Sequence, residues 1–137
     1  MKFKINHIQH IGLPVTDIKT SEAFYKKLGF ANVMNAHFDF KGSEGTVAMM
    51  QLDEIIIEIY QLPAGELTEI RNRKDGHIDH IAFDVDDIDF TFRYLKNEGF
   101  FILEGEPVFL PFWENGCRYF NIAGPDGERI EFNQILK

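Results

Sequence analysis

His7-Ile8-Gln9-His10-Ile11-Gly12-Leu13-Pro14-Val15-Thr16-Asp17-Ile18 recurs as His77-Ile78-Asp79-His80-Ile81-Ala82-Phe83-Asp84-Val85-Asp86-Asp87-Ile88. Each copy runs into an amphipathic segment closed by a glycine, Leu28-Gly29-Phe30 in the first and Glu98-Gly99-Phe100 in the second. Each half then ends on a strand-like run holding one glutamate, Ile57-Glu58-Ile59-Tyr60-Gln61 and Ile130-Glu131-Phe132-Asn133-Gln134. Two repeats of roughly seventy residues are too few and too long for a solenoid, and describe two halves of one domain. A unit that places one His and one Glu at corresponding points of each half predicts a metal site on a pseudo-twofold axis.

Strand parity decides which histidines qualify. Side chains alternate faces along a strand, so His7 and His10, three apart, point to opposite sides, as do His77 and His80. The His-x-x-His pattern is therefore not a chelating pair. His10 and His80, each flanked by apolar residues and followed by strand, are the inward pair. His7 and His77 sit at strand entrances and suit solvated or capping roles. Glu58 shares a face with Ile56 and Tyr60, leaving Ile55, Ile57 and Ile59 for a helix layer; Glu131 lies between core-facing Ile130 and Phe132. Either glutamate alone reads most simply as a solvent-facing residue. Two at matched positions, each about fifty residues after a matched His, call for a shared explanation, because an unpaired buried carboxylate costs several kcal/mol. One divalent ion held by His10, Glu58, His80 and Glu131 supplies it. Two imidazoles and two carboxylates suit Ni, Co, Zn, Mn or Fe(II), and a single Cys117 excludes a thiolate-rich zinc site.

Composition bounds the rest. The chain of 137 residues is 45% hydrophobic and 26% charged, which predicts one compact domain over 1–137 and not a disordered segment. Its formal charge of −8 opposes nucleic acid and anionic lipid, so the expected partner is a small molecule. No apolar run is long enough to span a bilayer and the N-terminus has no signal-peptide pattern; with one cysteine, cytoplasmic residence is the default expectation.

The expected organisation is an α+β fold of two βαβββ modules, 1–61 and 77–137, joined by a linker at 62–76 that holds a short helix. Together they form a curved mixed sheet around a central cleft, with helices on the convex side. In the first module, strand Lys4–Val15 precedes a helix over Ile18–Leu28, capped by Asp17 or Thr20, with Ala23, Phe24 and Leu28 as its apolar stripe. Gly29 is its C-cap. Strands at Ala31–Phe40, Thr46–Leu52 and Glu54–Gln61 follow, with turns at Gly42, Gly45 and Asp53. The second module repeats the order: strand His77–Val85, helix Asp87–Asn97 closed by Gly99, and strands near Phe101–Glu104, Arg118–Ile122 and Glu128–Ile135. Gly124-Pro125-Asp126-Gly127 predicts a tight turn, and Glu106–Gly116 a loop carrying Phe112 and Trp113 over the site.

The repeated His-Ile opening, the Phe24-Tyr25-Lys26-Lys27-Leu28-Gly29-Phe30 stretch and the Pro125-Asp126-Gly127-x-x-Ile130-Glu131 ending resemble the vicinal oxygen chelate superfamily across essentially the whole chain. That group includes glyoxalase I, methylmalonyl-CoA epimerase, extradiol dioxygenases, fosfomycin-resistance enzymes and bleomycin-binding proteins. Its ligand positions fall on His10, Glu58, His80 and Glu131, in agreement with strand parity. A carboxylate at Glu58 is more similar to the His-Glu-His-Glu set of small bacterial glyoxalase I (lactoylglutathione lyase) than to the two-His, one-Glu dioxygenase and fosfomycin enzymes. The resemblance implies a metal-dependent lyase or isomerase that transfers a proton next to a carbonyl, with Glu131 as base and Glu58 as ligand or second base. Gly124 departs from the Asp common before the family's turn, and the glutathione-binding residues have no clear match; Arg71, Arg73, Lys74 and Arg118 are the basic candidates. Tyr60, Phe112, Trp113 and Arg118 are the expected substrate contacts. The rival expectations are an epimerase acting on an acyl thioester and a metal-free drug-binding module. An isologous homodimer is expected for so short a chain.

Overall fold

A computed structural model describes residues 3–73, 78–123 and 129–137. Lys74, Gly76, His77, the Gly124–Gly127 turn and Glu128 lie outside the described residues. The chain has a mixed α+β fold in which the order strand, helix, three strands occurs twice. It divides into two compact units: His10–Asp79, and His80–Lys137 together with the N-terminal segment through Gln9.

In the first unit β1 (Ile5–Pro14) lies parallel to β4 (Ile55–Gln61), and β3 (Ser43–Leu52) pairs antiparallel with both β4 and β2 (Ala31–Phe40). The second unit repeats this order with β5 (His80–Val85) parallel to β8 (Arg129–Ile135). There β7 (Cys117–Ala123) is antiparallel to β8 and to β6 (Val108–Leu110). Helices α1 (Ile18–Lys27) and α3 (Ile88–Asn97) follow the first strand of each unit, and α2 (Leu67–Arg71) is the short helix expected in the linker.

The helices start where their caps place them. Asp17 accepts from Thr20 N at 3.2 Å and Asp87 from Phe90 N at 2.9 Å, each satisfying one orphan amide of the first turn. A second device is duplicated too: Gln61 Oε1 accepts from Ile18 N at 2.9 Å and Gln134 Oε1 from Ile88 N at 3.0 Å. Each helix N-terminus is thus tied to the last strand of its own module, three residues beyond the module's glutamate. Replacing Gln134 with Ala is expected to cost about 1 kcal/mol, read as a lowered urea midpoint with unchanged slope; no change would refute the cap. Gly29 (φ 103°) and Gly99 (φ 86°) end the helices in the left-handed region.

In each unit one face of the strands packs the unit's helix. In the second unit Val85, Ile88, Phe92, Leu95, Phe120, Ile122 and Phe132 form the core, with Phe3 set against Tyr94 and Phe132. In the first, Ala48, Met50 and Ile59 pack with Val15, Ile18, Tyr25, Phe30 and Ile57. The other faces carry Glu58 and Glu131.

Five sequence expectations need correction. The Phe101–Glu104 strand reduces to a single bridge, Ile102 to Ile122, and the third strand of the module is β6, inside the expected loop. Gly105 and Pro107 break the ladder between them, and the Glu104 carboxylate fills the gap by accepting from Asn121 N at 2.6 Å and Asn121 Nδ2 at 2.9 Å. Ala23, Phe24 and Leu28 are not the packing stripe of α1: Phe24 is 56% and Leu28 57% exposed, and the helix packs through Ile18 and Tyr25. Gly45 is no turn but a strand residue beside the Phe38 ring, where a Cβ would fall 2.4 Å from Cζ. The hairpin turn instead uses Lys41 and Gly42, both at positive φ. Ile55 is exposed and adds nothing to the helix layer. Finally, the start of β1 belongs with the second module, because Asn6 Nδ2 donates to Asp84 and Asp86, and Gln9 Nε2 to Asp84 and Asn133 O.

Candidate metal centre

Each unit places its histidine and glutamate side by side on the face away from the helix. In the first, Gly12 stands opposite Glu58 across the β1–β4 pairing, and His10 lies two residues before Gly12, on the same face. In the second, Ala82 stands opposite Glu131 and His80 lies two residues before it. The matched small residues, Gly12 and Ala82, leave room next to each carboxylate. His10 Nε2 lies 3.7 Å from Glu58 Oε2, and His80 Nε2 lies 3.1 Å from Glu131 Oε2. All four residues are buried: His10 is 1%, His80 7%, Glu58 8% and Glu131 7% exposed. His7 is exposed.

These separations suit shared coordination. Two ligands each about 2.1 Å from an ion, at angles of 90–110°, stand about 3.0–3.5 Å apart. The second pair falls inside that range and the first just beyond it. Without a metal, the His80 ring nitrogen 3.1 Å from Glu131 partly offsets the burial of that carboxylate, as a buried Glu requires. The donor set is nitrogen and carboxylate oxygen throughout. Cys117 Sγ lies 3.9 Å from Asn133 Nδ2, and Asn133 lies next to Glu131.

Several polar residues around Glu131 escaped the sequence reading. Asn133 Nδ2 donates to Glu131 Oε1 at 2.7 Å. Asn121, directly opposite Glu131 in the β7–β8 ladder, has its amide nitrogen committed to Glu104. Both asparagines are at least nine-tenths buried, and neither Oδ1 has a hydrogen-bond partner among the described residues. The corresponding face of the first unit is apolar: Met49 stands opposite Glu58 and Val47 opposite Tyr60, while Phe38 meets the Tyr60 ring edge-on at 6.2 Å. The signal for the asparagines was the phase of their strand positions relative to Glu131, at 131 and 133 on β8 and at 121 on β7.

The expected substrate contacts are placed unequally. Tyr60 is half-buried on the Glu58 face. Phe112 is buried, and Trp113 has a φ of 66° with its Nε1 buried and unpartnered among the described residues. Arg118 shares its strand face with Phe120 and Ile122, on the helix side, and holds Asp89 of α3 bidentately at 2.7 and 3.0 Å. The hydrogen bond from Arg118 keeps the Asp89 carboxyl below its ordinary value, and Asp89 holds the guanidinium above its own. A depressed carboxyl stabilises the fold above the unfolded value near 3.8, and that contribution is lost as pH falls through the folded value. Arg118→Ala should therefore flatten the acid limb of the stability–pH curve slightly, since the pair is exposed; an unchanged limb would deny the pair any role.

Two matched His–Glu pairs on two copies of one βαβββ module define a duplicated-module α+β fold. The chain belongs to the Glyoxalase/Bleomycin resistance protein/Dioxygenase superfamily, whose profile matches residues 7–132. It is 34% identical over 133 residues to the uncharacterized protein YwbC of Bacillus subtilis (strain 168), spanning 93% of this chain and 96% of that one. It is 30% identical over 132 residues to the metallothiol transferase FosB of Staphylococcus epidermidis (strain ATCC 12228 / FDA PCI 1200), spanning 95% and 82%. The fold is also that of methylmalonyl-CoA epimerase from Mycobacterium tuberculosis, with a TM-score of 0.79 at 18% identity over 97% of this chain and 90% of that one.

Proposed function

We propose that the His10–Glu58 and His80–Glu131 pairs together hold one divalent ion, and that the protein is a glyoxalase I-like lyase or isomerase. Its substrate is the adduct of a small 2-oxoaldehyde with a thiol, and its reaction moves a proton between adjacent carbons beside a carbonyl. The observation that carries this reading is Glu58: a buried carboxylate beside His10 matches Glu131 beside His80, and would bring to four the ligands of a site that has three in two-His, one-Glu enzymes. A thiol cosubstrate is supported by the 30% identity to a metallothiol transferase.

When bound, the divalent ion supplies Lewis acidity at the oxygens on which negative charge develops, a contribution of several kcal/mol. The protein's own residues do the rest. Glu131 takes the proton from carbon as general base and returns it to the neighbouring carbon as general acid. Glu58 serves as ligand or second base. Tyr60, Phe112 and Trp113 are the proposed substrate contacts, with the role of keeping water from the reacting carbons. Arg118, occupied by Asp89, is not needed for substrate.

The second reading, an epimerase of acyl thioesters, uses the same residues and is favoured by the shared fold with methylmalonyl-CoA epimerase. Metal-loaded protein is to be assayed in parallel with methylglyoxal plus glutathione and with racemic methylmalonyl-CoA in deuterium oxide. Conversion of the first with no deuterium exchange into the second supports the glyoxalase reading. The reverse result replaces it with the epimerase. Activity toward neither, with little metal retained, favours a binding module. The protein is proposed to be a homodimer in the cytoplasm.

A further inference from the structure

The two halves are not equivalent at the position that controls the glutamate. In the first half Glu58-Ile59-Tyr60-Gln61 ends β4; in the second Glu131-Phe132-Asn133-Gln134 ends β8. The alignment is anchored physically, because Gln61 and Gln134 make the same bond to the first amide of their helices. Asn133 therefore stands where the first half has Tyr60.

Asn133 is 3% exposed and held on several sides. Its Nδ2 donates to Glu131 Oε1 at 2.7 Å and faces Cys117 Sγ at 3.9 Å, while its backbone oxygen accepts from Gln9 Nε2 at 3.3 Å. The bond to a carboxylate fixes the amide's orientation, since the flipped amide would set oxygen against oxygen. That orientation leaves Oδ1 buried without a partner among the described residues. A buried, half-satisfied amide is a poor choice for stability alone. What it accomplishes is to occupy one oxygen of Glu131, while the other, Oε2, lies 3.1 Å from His80 Nε2.

Resting on the ligand assignment above, we propose that Asn133 is a positioning residue that restricts Glu131 to a single metal-facing oxygen, Oε2. Held at Oε1, the carboxylate cannot rotate to present both oxygens to an ion, and its plane is fixed relative to the carbon from which it takes a proton. Partners of this kind set ligand orientation, and their loss weakens metal binding by about 10–100-fold.

The test uses Co(II) alone as the probe, with the full chain. Wild type, Asn133→Ala and Asn133→Leu (of similar volume but without the N–H) are titrated with Co(II) against a chelator, and the visible absorption of each complex is recorded. Both variants are expected to bind about 10–100-fold more weakly and to show an altered Co(II) spectrum, because freed Glu131 changes the coordination number. Variants with wild-type affinity and spectrum would overturn the role of Asn133 while leaving the ligand set intact. Failure of wild type itself to bind Co(II) would instead refute the ligand set, and the inference with it. Should neither variant fold, a crystal structure of the Co(II)-loaded wild type decides. Coordination through Oε2 with Oε1 on Asn133 upholds the proposal, and both oxygens on the ion overturn it.

Discussion

Glu131→Gln is expected to lower turnover by about 10²–10⁴-fold, the usual worth of a positioned general base, while part of the metal affinity survives. The substitution keeps the side chain's length and an oxygen able to accept from Asn133 Nδ2, so the strand and its neighbours stay in place. It removes the one property the proposed mechanism needs from this residue, the capacity to accept and return a proton. The amide NH2 that replaces Oε2 would face His80 Nε2, now 3.1 Å away, which accounts for some loss of metal as well. Turnover measured at saturating metal separates the two effects. Full activity under that condition would remove Glu131 from the base role and move attention to Glu58.

Phe120→Ala is expected to cost about 3–5 kcal/mol, a large share of the roughly 5–15 kcal/mol that stabilises a domain of this size. Phe120 is fully buried, meets Phe92 edge-on at 5.1 Å and stacks on Phe132 at 5.4 Å, so its removal opens a cavity at the centre of the second unit. Phe132 in turn neighbours Glu131 in the chain, and loosening it disturbs the strand that carries the proposed base. A melting temperature lowered by roughly 10 °C or more is the expected reading. Phe101→Ala, at a position 70% exposed, serves as the contrast and should stay within about 0.5 kcal/mol. Equal losses from the two substitutions would show that the core is not where the packing places it.

What was legible in the sequence was what periodicity and duplication encode. The alternation of side chains separated His10 from His7, and the repeat identified Glu58 and Glu131 together, where each alone would have passed for a surface residue. Asp17, Gly29 and Gly99 announced helix ends because capping is local chemistry, whereas Asp87, expected as the first helical residue, is the cap itself. The misreadings came where tertiary context overrides local pattern. Phe24 and Leu28 look like a packing stripe, yet α1 turns Tyr25 inward to meet Phe30 at 5.7 Å. The segment after Gly99 has strand-like residues at Phe101–Leu103, but Gly105 and Pro107 interrupt the ladder and push regular pairing on to Val108. Asn133 was signalled only by lying two residues after Glu131 on one strand. The meaning of Asn121 depends on register across β7 and β8, and register is a property of the folded sheet. Gly12 and Ala82 were equally silent, since a small residue becomes informative only when the neighbouring strand places a carboxylate opposite it.

The central claim, that two duplicated His–Glu pairs hold one divalent ion, is tested most directly by metal content. Protein stripped with chelator, reconstituted and desalted should retain one divalent ion per chain by elemental analysis. His10→Ala and His80→Ala should each lose most of it. Retention well below one ion per chain in the wild type, or content unchanged in both variants, would contradict the account.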